Sequence, residues 1–159
     1  MSFLRNSQNL IAIGLLALLL AVAAYATLGM SGSVTSPVPS KFTVNGKTYA
    51  LTYVATDDAQ RAAGLMDKRV TNTTTMLFVF PGMGTYGFWM SDTNTSLDMI
   101  WINTTGSTGL VVYVHEDALP CTSSCPTYYP SSLANYVIEA KSGFAGANGI
   151  EIGTLIQFG

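Results

Sequence analysis

The chain has 159 residues, enough for one ordinary domain and an appendage but too few for two full cores. Its residues are 48% hydrophobic and 10% charged, the reverse of a disordered composition. A net charge of −2 argues against binding driven by nucleic-acid phosphates, so no nucleic-acid partner is expected.

Residues 1–9 carry one charged side chain, Arg5, and read as a short cytoplasmic N-terminus. Residues 10–30 form an uncharged apolar run. At about 1.5 Å per residue, a helix of that length crosses a hydrocarbon core of about 30 Å. The expectation is a single transmembrane helix or uncleaved signal anchor. Ala24-Tyr25-Ala26 also fits a small-x-small cleavage site, so a removed signal peptide stays open as the alternative. Both readings put the C-terminal domain outside the cytoplasm. Residues 31–40, SGSVTSPVPS, read as a linker, and residues 41–159 as one extracytoplasmic domain.

Within that domain, residues 41–55 predict a β-hairpin turning at Asn45-Gly46, with a second arm that alternates as far as residue 55. A short helix is expected near 57–64, where Asp57 and Gln60 have capping-box spacing and Gly64 is a stop. Strands are expected at residues 76–80, ended by Pro81-Gly82, then at 86–90, 97–102, 110–115, 136–140 and 154–158. A loop over 117–132 holds both cysteines and three prolines. The fold class is mainly β: a compact, barrel-like β domain with one short helix, preceded by a single transmembrane helix.

Several segments, in order, resemble an uncharacterised family, domain of unknown function 192. They are Arg61-Ala62-Ala63-Gly64-Leu65-Met66, Met76-Leu77-Phe78-Val79-Phe80-Pro81, Phe88-Trp89-Met90 with Thr93, and Leu97-Asp98-Met99-Ile100. Cys125-Pro126 with Tyr128 and Pro130, residues 134–139, and Gly149-Ile150 onward complete the series. The resemblance spans about residues 42–158 and implies a mainly β fold, often behind a signal or anchor, with no established activity. Ser91-Asp92 stand where the family usually has basic and amide residues, which weakens any anion site beside Trp89.

Four groups of residues could carry chemistry. Cys121 and Cys125 suit a disulfide in an oxidising compartment. The alternative is copper, held by Cys121, Cys125 and His115, since two thiolates and an imidazole suit that metal. Asp98 lies in an apolar strand and needs a partner, and Arg61 is the candidate for a fold-pinning pair. Phe88, Trp89 and Met90 could line a ligand cleft, or simply be core. Asn72, Asn94 and Asn103 begin N-x-[ST] sequons and are glycosylation candidates. No nucleophile elbow, phosphate loop or acid–base pair is present, so no catalytic residue and no cofactor other than the copper alternative is assigned. The expected role is a non-catalytic accessory or interaction module of a membrane complex or cell surface. Copper handling, small-ligand or carbohydrate binding and a self-assembling surface subunit are the alternatives.

Overall fold

A computed structural model describes residues 38–159 of the chain. The expected membrane segment 10–30, the N-terminal residues before it and most of the 31–40 linker lie outside the described residues. Among the described residues no helix is long and apolar enough to cross a membrane.

The predicted hairpin forms. β1 (Lys41–Val44) and β2 (Lys47–Ala50) pair antiparallel around Asn45 and Gly46, whose φ angles of 48° and 76° are those a two-residue primed turn requires. The second arm does not run on to residue 55. It breaks at Leu51-Thr52, and β3 (Tyr53–Ala55) pairs in parallel with β4 (Thr75–Gly84) instead. α1 (Asp58–Ala63) carries the expected capping box: the Gln60 amide donates to Asp57 at 2.8 Å, and the Gln60 side chain accepts from the Asp57 amide at 3.4 Å. β5 (Leu97–Thr105), β6 (Thr108–Ala118), β7 (Ala134–Lys141), the single turn α2 (Phe144–Ala147) and β8 (Leu155–Phe158) follow.

Residues 86–90, expected as a strand, form a loop held by isolated bridges, Phe88 to Tyr128 and Ser91 to Cys121. The aromatic side chains there cover a sheet rather than join one. The Tyr86 carbonyl accepts from the Trp101 indole N–H at 2.9 Å, which ties the loop to β5.

The eight strands form one sheet in the order β2-β1-β8-β6-β5-β7-β4-β3. β2 and β3 are its two edges, yet only Leu51 and Thr52 separate them in the chain. Laid flat, those edges would stand about 34 Å apart at about 4.8 Å per strand, whereas the connection reaches about 11 Å. The sheet is therefore rolled into a barrel-like form. At the seam the Thr52 amide donates to the Thr75 carbonyl at 3.0 Å, and the Thr75 hydroxyl donates to the Ala50 carbonyl at 2.7 Å.

Both faces of the central strands are buried. Phe42, Val44, Leu77, Ile100, Ile102, Ile138, Ile156 and Phe158 fill the interior. Met76, Phe78, Leu97, Met99, Trp101 and Val137 form a second apolar layer outside the sheet, under Leu65, Phe88 and Met90. This outer layer positions the candidate site.

Candidate functional site

β7 alternates between the two layers: Ile138 points into the barrel and Val137 into the outer layer. Glu139 follows Val137 on the outer face by the two-residue period of a strand. In the register its neighbours are Met76 of β4 and Met99 of β5. A carboxyl is thereby placed between two thioethers and is only 4% exposed. Burial alone pushes it up to about 8 from an ordinary value of 4.5. At neutral pH Glu139 is therefore a protonated acid.

Glu139 lines a cavity of about 430 Å³. Every fully enclosed side-chain nitrogen and oxygen among the described residues has a hydrogen-bond partner. The Glu139 carboxyl has none among those residues, so its oxygens face the open space of the cavity. Five of the lining residues are aromatic. Phe80 and Tyr86 stack with centroids 3.6 Å apart, and Phe78 meets Phe88 edge to face at 4.8 Å. Trp89 stands on the rim, 47% exposed. Gly87 sits where a Cβ would strike Thr127 and Tyr129, so the 86–90 segment lies close against the 127–129 segment.

Arg61 borders the same cavity and is held at both terminal nitrogens. Its guanidinium donates to the Thr56 and Val79 carbonyls at 2.9 and 2.7 Å and to the Asp58 carboxyl at 2.6 Å, and it lies over the Phe80 ring.

The expected Arg61–Asp98 pair is not formed. Asp98 lies on the interior face with Ile100 and Ile102, whereas Arg61 packs on the outer face against Phe80. The Asp98 carboxyl accepts instead from two backbone amides, Asp117 at 3.0 Å and Ala145 at 2.8 Å. The second of these ties the first turn of α2 to β5.

Of the proposed cleft, Phe88 and Trp89 line the cavity, but Met90 is completely buried in the outer layer. Nothing in the sequence marks Glu139, Phe80 and Tyr86 as cleft residues. The available signal for Glu139 was the one that marked Asp98, a lone acid in an apolar alternating strand.

Cys121 and Cys125 are joined as a disulfide with Cα atoms 5.5 Å apart. The Cys121 amide donates to the Met90 carbonyl at 3.2 Å and its carbonyl accepts from the Asp92 amide at 3.1 Å. The staple thus holds the segment that carries Trp89. Copper binding through these sulfurs would first require reduction, and the His115 ring packs tilted against Tyr128, centroids 4.1 Å apart. Among the described residues no group of three His, Cys, Asp or Glu side chains could hold a metal. Asn72 and Asn94 are exposed, whereas Asn103 is half-buried within β5. The Asn72 amide oxygen accepts from the Lys141 ammonium at 3.0 Å.

The family model of domain of unknown function 192, described as an uncharacterized ACR, matches residues 40–158. The chain belongs to this family. Two solved structures share the fold of the DUF192 domain. One is a candidate transcription regulator from Sinorhizobium meliloti 1021, 28% identical, covering 74% of this chain and 90% of its own, with a TM-score of 0.61. The other is a protein of unknown function from Novosphingobium aromaticivorans DSM 12444, 23% identical, covering 76% and 84%, also with a TM-score of 0.61. Among curated proteins none matches the chain.

Proposed function

We propose that this DUF192 protein is a non-catalytic, small-molecule-binding module, held outside the cytoplasm by the apolar run at residues 10–30. The observation that carries the binding role is the aromatic cavity with a buried carboxyl, free of protein partners, on its wall. A large apolar pocket with one or two convergent polar groups is the usual form of a small-ligand site. Desolvating an acid without giving it a partner works against stability, so its presence needs a compensating use. The Cys121–Cys125 disulfide supports an oxidising compartment and, with it, the outward placement.

The test is a fragment set of amines, amides, alcohols and sugars, read by melting temperature and tryptophan emission. At least one class is expected to raise the melting temperature and change Trp89 emission, and Trp89→Ala is expected to abolish the emission change. A set that moves neither observable overturns the reading.

A second reading, an accessory subunit of a membrane complex, draws support from Trp89, Leu119, Tyr129 and Leu133, all exposed apolar side chains on the 86–90 and 117–133 segments. Native mass spectrometry of the protein extracted from its own membranes in mild detergent separates the two. Co-migrating subunits support the accessory role, and a lone chain carrying a small-molecule mass supports ligand binding.

A further inference from the structure

The chemistry of the cavity narrows the class of ligand, on the premise that the cavity is a ligand site. The charges around it do not cancel once Glu139 ionises. Asp58 and Arg61 answer one another at 2.6 Å. Arg61 is further held by two backbone carbonyls and forms no ion pair with Glu139. On β7 the next residue on the same face is Lys141, and its ammonium is held by Asn72. On β4 and β5 the neighbours of Glu139 are methionines. Beyond Met99, β6 presents His115, which packs against Tyr128. From the 86–90 segment the Tyr86 hydroxyl donates to the Gly82 carbonyl at 2.9 Å. No cation of the described domain meets Glu139.

Five of the other lining side chains are aromatic, beside the aliphatic Leu65 and Met66. Phe78, Phe80, Tyr86, Phe88 and Trp89 border the space beside the carboxyl. Aromatic faces attract a cation through the ring quadrupole, most strongly where water is excluded. They do nothing comparable for an anion. A buried acid among aromatic rings, with the bordering Arg61 paired to Asp58 and not to the acid, is thus a site suited to a further positive charge.

We infer that the cavity binds an organic ammonium, a primary or methylated amine on a compact apolar body, and that Glu139 gives up its proton to solvent as the cation enters. No covalent bond changes in the ligand. The carboxyl O–H breaks, the proton leaves to water, and the resulting carboxylate pairs with the ammonium. Because the free acid holds its proton to about pH 8, affinity for the amine rises about tenfold per pH unit below that value and levels off above it.

The experiment uses the full chain in mild detergent and two probes of one shape, 2-phenylethylamine and 2-phenylethanol, titrated calorimetrically at about pH 6, 7 and 8. The amine is expected to bind at least about tenfold more tightly than the alcohol at the highest pH and to weaken about tenfold per unit on descent. At about pH 6, titrations in two buffers of different ionisation enthalpy are expected to give about one proton released per amine bound. Glu139→Gln is expected to make the two probes equal, and the proton count on the unaltered protein stands whether or not that variant folds. Equal binding of both probes, or amine binding without proton release, overturns the ammonium inference while supporting the cavity as a ligand site. Binding of neither probe at millimolar concentration also overturns it, and the fragment set then decides the cavity reading separately.

Discussion

A single buried carboxyl should dominate how this domain responds to pH. Below the ordinary carboxyl range, folded and unfolded chains both carry the Glu139 proton and stability is complete. Between about 4.5 and about 8 the unfolded chain has lost that proton and the folded chain keeps it. Stability therefore falls as pH rises, by about 1.4 kcal/mol per unit, and the loss is complete above the folded value. Glu139→Gln removes the titration. Urea unfolding over that window should show the substituted protein gaining on its parent with each step upward in pH and exceeding it at the alkaline end. Parallel pH profiles would show that the carboxyl is hydrated in the folded state. Asp98 is equally enclosed but behaves differently in design: two backbone amides hold its oxygens, so it fastens β5 to α2 and the β6 end rather than waiting for a ligand. Sequence marks both residues with the same pattern, an acid in an apolar strand. Only the facing of each strand separates them, and facing depends on which sheet surface the loops cover.

At the scale of elements, local chemistry was legible wherever it was self-sufficient. The Asn45-Gly46 turn and the Asp57/Gln60 capping box each close within a few residues, so they form wherever the chain goes. The end of the hairpin arm and the 86–90 segment were not legible, because their outcome is set by distant partners. Tyr53 leaves β2 to pair with Met76, and Phe88 finds Tyr128 across the disulfide loop. That loop offers a separable prediction. The ring closed by Cys121 and Cys125 is short, so removing it should cost about 2 kcal/mol or less. Its main work is to hold the Met90–Asp92 backbone, through the two hydrogen bonds of Cys121. With both cysteines changed to serine, hydrogen exchange should accelerate at the Asp92 and Cys121 amides while the β5 amides keep most of their protection. A uniform acceleration across the domain would instead make the disulfide a global staple.

For the whole molecule, the decisive link is made last in the chain. β8 is paired on both sides, with β1 and with β6, so it alone connects the N-terminal hairpin to the rest of the sheet on that side. The last residue of the domain joins its first strand directly, since the Ser40 and Lys41 amides both donate to the Gly159 carbonyl. Ile156 and Phe158 enter the interior beside Phe42 and Val44. Each such side chain contributes about 1.5–3 kcal/mol by burial, against a total stability of about 5–15 kcal/mol for a domain. Deleting residues 155–159 removes both side chains, two ladders and the cover of the barrel interior. The loss is larger than one side of the sheet, because the hairpin then keeps no ladder to a neighbouring strand, only the two-residue link to β3 and a few side-chain contacts such as Asn45 to the Asn148 and Gly149 carbonyls. The truncated chain should show no cooperative unfolding transition by far-ultraviolet circular dichroism. Phe158→Ala, which keeps the ladder but empties part of the interior, should stay cooperative at a cost of about 3–5 kcal/mol. A cooperative transition in the truncated chain would mean that the outer layer around Trp101 holds the fold without closure. The cavity bordered by Glu139 would then belong to the more stable half of the molecule, and ligand binding should survive the deletion.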